Sequence, residues 1–347
     1  MTAQPFVPPP YPYDRLDSLA KMAATHDGGV IDLSIGTPCD APTAAVIAAL
    51  ATSNAERGYP ASIGSEPLRG AARDWMRRRF DVDVPSAQIA VCVGSKEFVA
   101  STPHYMKLRR PDRDTVLFPA VSYPSYAMGA TLSGCRPVAV PMTPTGGLDL
   151  SKISADDAKR ALMIWMNSPS NPTGALDDME AVVNWGRAND VPVFSDECYV
   201  EFTWQGKPTT ALQYGTQGVI ALHSLSKRSN LAGLRVAFYA GDADIVHYLK
   251  EVRKHAGLMV PGPAQAAGVV ALNDDDSVKV QADIYRRRLE RTATVLSKWS
   301  GRNIELPAGG FYLWFDATDG WEFAERLATE GGALVSPGDF YGAGGSN

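Results

Sequence analysis

The run Ser224-Leu225-Ser226-Lys227, followed by Arg235 in Asn230-Leu231-Ala232-Gly233-Leu234-Arg235, places a lysine beside two hydroxyls and ahead of an arginine. An apolar β-type run, Val219–His223, leads into it. A lysine desolvated at a strand exit loses hydration of its charged form, so its pKa falls and the neutral amine can attack a carbonyl to form a Schiff base. The hydroxyls and the arginine suit a phosphate dianion. A second anion site is expected at Gly94-Ser95-Lys96, which closes the run Ile89–Val93 and opens a helix with unsatisfied backbone N–H groups. Asp196 ends another apolar run, Val191–Ser195, and Asn171 lies in the Pro- and Gly-rich loop Asn167–Gly174. Singly these are ordinary features: most lysines are surface residues, and Asn-Pro-x-Gly is a common turn.

The elements that must position these residues alternate along most of the chain. Strand candidates are Ile31–Ile35, Ile89–Val93, Thr115–Phe118, Pro137–Val140, Leu162–Met166, Val191–Ser195, Val219–His223 and Val236–Ala240. Helical segments such as Glu66–Phe80, Ser95–Leu108, Tyr123–Leu132 and Asp178–Asn189 separate them, the pattern of a mostly parallel sheet covered by helices. After about Gly241 longer helices dominate (Ala243–Ala256, Pro263–Ala271, Ser277–Trp299). A strand Phe311–Phe315, a helix Glu322–Thr329 and a strand Ala333–Val335 follow. The expected class is α/β. An extended N-terminal arm (1–30) packs with the small domain, a three-layer α/β/α domain spans 31–241, and a smaller α+β C-terminal domain spans 242–347.

The 347 residues exceed what a single core usually fills, which favours two domains. A net charge of −5 argues against nucleic acid or an anionic membrane as partner. The one dense basic cluster, Arg77-Arg78-Arg79, ends an amphipathic run and reads as a solvated helix face. Cys39, Cys92, Cys135 and Cys198 are far apart, and the five histidines show no ligand spacing, so a reducing compartment and no metal are expected. Met1-Thr2-Ala3-Gln4-Pro5 has no basic stretch ahead of an apolar core, so neither a secretory signal nor a membrane span is expected, and the expected location is cytoplasmic.

From Ser224 to Ala237 the chain resembles the cofactor-lysine signature of class I and II aminotransferases, the fold type I enzymes that use pyridoxal 5'-phosphate. That resemblance implies that Lys227 carries the cofactor and acts as general base, with Ser224 and Arg235 on its phosphate. It also implies that Asp196 protonates the ring nitrogen, that Asn171 and Tyr199 (in Asp196-Glu197-Cys198-Tyr199) bind the ring hydroxyl, and that Gly94-Ser95-Lys96 cradle the phosphate. Tyr123, in Ser122-Tyr123-Pro124, resembles the aromatic that stacks on the ring. Tyr59, in Gly58-Tyr59-Pro60, resembles the tyrosine that reaches the phosphate of the partner subunit, which implies a homodimer. Gly36, in Ser34-Ile35-Gly36-Thr37-Pro38, resembles the turn over the substrate carboxylate.

The likeness extends to the substrate. Glu251-Val252-Arg253-Lys254-His255-Ala256-Gly257, with Val260-Pro261, and Val335–Gly342 look like the actinobacterial succinyldiaminopimelate aminotransferases of lysine synthesis, with glutamate and 2-oxoglutarate as the amino-group pair. Arg253 and Lys254 are candidate cations for distal substrate carboxylates, or else a solvated helix face. Such relatives continue into a strand with a carboxylate-binding arginine and a final helix, whereas this chain stops at Asn347, so a longer reading frame is expected. Other aminotransferases and carbon–sulfur lyases of the same fold share the cofactor residues and stay open as alternatives. Ser224-x-x-Lys227 is also the acyl-serine motif of penicillin-binding proteins, but the chain has Ser195-Asp196-Glu197 in place of Ser-Asp-Asn and no Lys-Thr-Gly.

Overall fold

A computed structural model describes residues 6–346; Met1–Pro5 of the expected arm and Asn347 lie outside the described residues. The strands are β1 (Ile31–Asp32), β2 (Ile89–Cys92), β3 (Thr115–Pro119), β4 (Arg136–Val140), β5 (Ala161–Asn167), β6 (Val193–Asp196), β7 (Val219–Ser224), β8 (Ala237–Gly241) and β9 (Ala333–Leu334). The first six helices are α1 (Asp17–Ala23), α2 (Ala44–Ala51), α3 (Glu66–Phe80), α4 (Ser95–Arg109), α5 (Ser125–Leu132) and α6 (Ala155–Arg160). They are followed by α7 (Met179–Ala188), α8 (Leu225–Arg228), α9 (Ala243–His255), α10 (Gly262–Leu272), α11 (Asp275–Ser300) and α12 (Gly320–Gly331).

Seven strands form one sheet in the order β2-β8-β7-β6-β5-β3-β4. β8 runs antiparallel to both of its neighbours, and every other pairing is parallel. Side chains of period two divide between the faces. Ile89 and Val91 of β2 join the core formed with Leu68, Trp75 and Met76 of α3 and with α2, α7 and α10. Ala90 and Cys92 join the core with Phe98 and Met106 of α4, Tyr126 of α5 and Leu249 of α9. The sheet is therefore buried on both faces, which is why its strands read as continuous apolar runs.

Helix α3 shows the local logic. Ser65 caps it by accepting the Leu68 N–H at 3.4 Å, Asp81 ends it in the left-handed region, and Leu68, Ala72, Trp75, Met76 and Phe80 fall on its buried stripe. Each large side chain on that stripe contributes roughly 1.5–3 kcal/mol by leaving water. The basic cluster at its end is less solvated than expected: Arg78 pairs with Asp275 at 3.0 Å and Arg79 with Glu201 at 2.7 Å.

By compactness, Thr37–Trp314 form one unit, and the described residues up to Gly36 together with those from Phe315 form the other. In the smaller unit β1 pairs in parallel with β9. The boundary expected at 241 falls inside the larger unit, because α9 returns to pack on the sheet: Ile245, Val246 and Leu249 lie in the core shared with α4, and the Tyr248 hydroxyl donates to the Tyr105 carbonyl at 2.9 Å. Two strand expectations need correction. Ile31–Ile35 yields only the two-residue, exposed β1. Phe311–Phe315 is not a strand; Gly310 N–H donates to the Phe202 carbonyl at 2.8 Å, and the Phe311 and Tyr312 rings pack in a cluster with Tyr199 and Tyr285. At the opening, Pro12–Leu16 forms a 3-10 turn rather than continuing an extended arm.

Candidate active site

The parallel strands deliver chemistry to one edge of the sheet. β2 ends before Gly94, β3 before Tyr123 and Tyr126, β5 before Asn171, β6 on Asp196, and β7 on Ser224 with Lys227 just beyond. β8 runs the other way, so its start at Ala237, just beyond Arg235 and Val236, lies at that same edge. Clefts outside the carboxyl ends of parallel strands are where such sheets bind ligands.

Lys227 sits in the short α8, which Ser224 caps by accepting the Ser226 N–H at 3.1 Å. The next residue, Arg228, anchors that turn: it is buried and donates to Glu201 at 3.3 Å and to the Ala271 carbonyl at 2.7 Å. The Lys227 ammonium lies 5.7 Å from the centre of the Phe311 ring. Burial, reinforced by the Arg235 charge, pulls its amine down to about 8 against an opposing influence of Cys198.

Asp196 is buried at the β6 terminus. Its Oδ1 accepts the Cys198 N–H at 3.2 Å, and the Tyr126 hydroxyl donates to Oδ2 at 2.9 Å. Burial raises its pKa, while hydrogen bonds from Cys198 and Tyr126 pull the other way. The Cys198 thiol bonds to this carboxylate and to the Ser95 hydroxyl, so Cys198 links β6 to the first turn of α4. Asn167 ties the neighbouring loop to the same point, donating to the Asp196 carbonyl at 2.8 Å and accepting the Asn171 N–H at 2.7 Å. The Asn171 carbonyl Oδ1 is buried without a hydrogen-bond partner.

Gly94 has φ of 77°, and a Cβ there would collide with the Arg235 guanidinium. Arg235 itself is left-handed, with φ of 55°, and donates to the Ala232 carbonyl at 2.8 Å. Tyr123 stands edge-on to Tyr126 at 6.0 Å between ring centres, and the Tyr199 hydroxyl pairs with Tyr312 at 2.9 Å. Lys96 follows Ser95 in the first turn of α4 with its side chain exposed.

The chain matches the family "Aminotransferase class I and II" over residues 28–347. It belongs to the class I and II aminotransferases. It is 39% identical to the 4-dedimethylamino-4-oxo-anhydrotetracycline transaminase OxyQ of Streptomyces rimosus, with 97% of this chain and 92% of that protein covered. It is 36% identical to the LL-diaminopimelate aminotransferase of Aquifex aeolicus, covering 96% and 89%. Among solved structures it superposes with TM-score 0.86 and 28% identity on a "probable N-succinyldiaminopimelate aminotransferase" of Thermus thermophilus, covering 96% of this chain and 93% of that one. The enzyme is thus a pyridoxal-phosphate-dependent aminotransferase of the α/β fold expected from its sequence.

The residues present fit that cofactor. The missing Gly94 side chain keeps the space in which Arg235 lies against the turn, the Asn171 amide presents an unsatisfied buried end, and the Lys227 amine is tuned toward neutrality. Within the larger unit the structure brings together Gly94, Ser95, Asp196, Lys227 and Arg235, with Tyr123, Asn171 and Ser224 on neighbouring strand ends. Gly36 belongs to the other unit, and Tyr59 is 98% exposed. Arg253 corrects an expectation: it is 1% exposed and bonded to Glu97, so it is no free cation for a substrate. Sequence reasoning passed over Tyr126, Cys198 and Tyr312, whose contacts join segments distant in the chain.

Glu197 and His223 lie just beneath this site. The Glu197 Oε1 accepts from Ser195 and from the Ala211 N–H, both at 2.8 Å, while Oε2 faces the His223 Nε2 at 3.4 Å. Burial pushes the carboxyl up to about 7 and the imidazole down to about 3, so burial disfavours the charged form of both and the imidazole is held neutral in the core.

Among the described residues no helix is long and apolar enough to cross a membrane, and no group of three or more His, Cys, Asp or Glu is placed to hold a metal ion.

Proposed function

We propose that Lys227 holds the pyridoxal phosphate and that the enzyme transfers the amino group of glutamate to N-succinyl-2-amino-6-oxopimelate, the N-succinyl-LL-2,6-diaminopimelate:2-oxoglutarate reaction of lysine synthesis. The observation that carries the assignment of Lys227 is its partly buried amine, poised near 8 at the edge where Asp196, Arg235 and the Gly94-Ser95 turn converge. When bound, the cofactor supplies an electron sink for the pair left as a Cα–H bond breaks.

This chain's own residues do the rest. With the cofactor bound, Lys227 Nζ would take the proton from the substrate Cα and deliver it to the cofactor's C4′, and an amine near neutrality can both accept and donate it. Asp196, steadied by Cys198 and Tyr126, holds a proton at the ring nitrogen. Ser224, Arg235 and the first turn of α4, Gly94-Ser95-Lys96, take the phosphate. Asn171 and Tyr199 serve the ring hydroxyl, with the Tyr199 hydroxyl oriented by Tyr312, and Tyr123 stacks on the ring. Gly36 is assigned to the substrate carboxylate. We assign Tyr59 to the phosphate of a partner subunit; its side chain stands in solvent in the single chain, as a residue reserved for a homodimer contact would. The assigned compartment is the cytoplasm.

The succinylated substrate is supported by the sequence likeness around Arg253 and by the Thermus thermophilus structure. The unsuccinylated LL-diaminopimelate is the second reading, favoured by the higher identity of the Aquifex aeolicus relative, 36% against 28%. The test has two parts. Desalted wild type should retain a visible cofactor band that Lys227→Ala lacks, and glutamate should bleach it while 2-oxoglutarate restores it. Amino transfer to 2-oxoglutarate is then measured from each diaminopimelate. Turnover of the free diamino acid alone would move the assignment to the second reading. Ammonia and pyruvate release from a cysteine-type substrate, with no bleaching by glutamate, would replace transamination by elimination.

A further inference from the structure

Helix α9 carries Arg253 next to Lys254 and looks from sequence like a charged outer face, yet the Arg253 side chain is among the largest that are fully buried. Its partner is Glu97, two residues after Ser95 in the first turn of α4. The pair is bidentate, with Arg253 Nη1 donating to Oε1 at 2.9 Å and Nη2 to Oε2 at 2.6 Å. The same carboxylate accepts the Ser101 hydroxyl at 2.8 Å and the Val93 N–H at 3.2 Å. The guanidinium also lies over the Phe98 ring at 5.4 Å. Glu97 thus grips both sides of the Gly94-Ser95 turn: the residue before it through Val93 N–H, and the helix after it through its own backbone.

A carboxylate in that position has an electrostatic consequence. The first turn of a helix attracts anions because its N–H groups and dipole point outward. A bare Glu97 would satisfy that field itself and repel a dianion arriving beside Ser95. Paired bidentately with a buried arginine, it keeps its hydrogen bond to Val93 while its charge is cancelled. We propose that Glu97 and Arg253 are positioning residues for the cofactor phosphate, fixing the Gly94-Ser95 turn and cancelling the acid charge beside it. The proposal rests on the reading of Gly94-Ser95 as the phosphate cradle.

A plain staple between α4 and α9 would affect every ligand alike; a charge-cancelling device would affect phosphate. The test is therefore the ratio of affinities of the cofactor-free enzyme for pyridoxal 5'-phosphate and for pyridoxal, titrated by absorbance. Arg253→Gln, which leaves the Glu97 charge uncancelled, should lower that ratio roughly tenfold. Glu97→Gln, which leaves an unopposed cation, should raise it, and the double variant should return close to wild type. Both single variants lowering both affinities equally would overturn the proposal. Should Arg253→Gln fail to fold, Glu97→Gln, which keeps the side-chain shape, decides alone: an unchanged or lowered ratio refutes the idea. Ser95→Ala separates the two layers of the argument. If it lowers the ratio and the pair variants leave it unchanged, the pair has no such role; if it too leaves the ratio unchanged, the cradle reading itself is wrong.

Discussion

Replacing Lys227 by methionine should stabilise the cofactor-free protein, and the gain should depend on pH in a way fixed by the burial of the amine. Within the fold the amine is pulled from 10.5 to about 8, mainly because burial strips water from the ammonium. At about 1.4 kcal/mol per pK unit, the folded state carries a penalty of about 3 kcal/mol wherever both folded and unfolded chains are protonated, that is, below pH 8. Between pH 8 and 10.5 the unfolded chain binds more protons than the folded one, so wild-type stability rises with pH and the penalty fades. Methionine fills a similar volume without the charge and has no such dependence. Urea unfolding at one fixed protein concentration should therefore show a methionine advantage of about 3 kcal/mol at pH 7, shrinking to about 1 kcal/mol at pH 10. Other titrating groups change both proteins equally and cancel in the difference. An advantage that stays flat over that range would refute the assignment of a depressed amine to Lys227, whatever its size.

Three further perturbations address neighbouring parts of the site. Gly94→Ala forces a Cβ into the Arg235 guanidinium at a positive φ, so cofactor affinity, read by absorbance titration, should fall roughly tenfold or more with the fold retained by circular dichroism. Tyr126→Phe removes a donor that favours the Asp196 carboxylate; the acid limb of the kcat/KM profile should move to higher pH, and an unmoved limb would count against this bond. Glu197, raised to about 7 against 4.5, binds a proton more tightly in the folded state, so its contribution to stability is present below pH 4.5 and fades as pH rises through 7. Glu197→Gln should therefore gain on wild type between pH 4.5 and 8 in urea melts, and parallel curves would contradict a protonated Glu197.

The positions proposed for the cofactor are legible in the sequence because most of them are tied to a strand end, and strand ends follow from local apolar patterning and turn residues. The strand order and directions, which the structure supplies, put the strand ends at Asp196 and before Lys227 and Gly94 on a common edge. Contacts that depend on distant pairing were not legible. Arg253 carries the marks of a solvated residue, and its burial is decided by Glu97, a long way back along the chain. Tyr126 follows Tyr123 by less than one helical turn and nothing in its neighbourhood marks it as the partner of Asp196. The run Phe311-Tyr312-Leu313-Trp314-Phe315 has a strand's composition, but the Phe311 and Tyr312 rings pack in a cluster with Tyr199, Phe202 and Tyr285, residues distant in the chain.

The antiparallel pairing of β2 with β8 has a kinetic consequence. Cys92 meets Ala237 across about 145 residues of intervening chain, and this single long closure is what brings Gly94 and Arg235 together. Closures of that span are slow because loop entropy is lost before any contact rewards it. A nascent chain would therefore hold Lys227, in α8 just beyond β7, and Asp196, at the end of β6, in neighbouring positions before Gly94 and Arg235 meet. If Gly94-Ser95 and Arg235 hold the cofactor phosphate as proposed, tight retention of the vitamin-derived ligand requires this registration and so reports on the finished sheet.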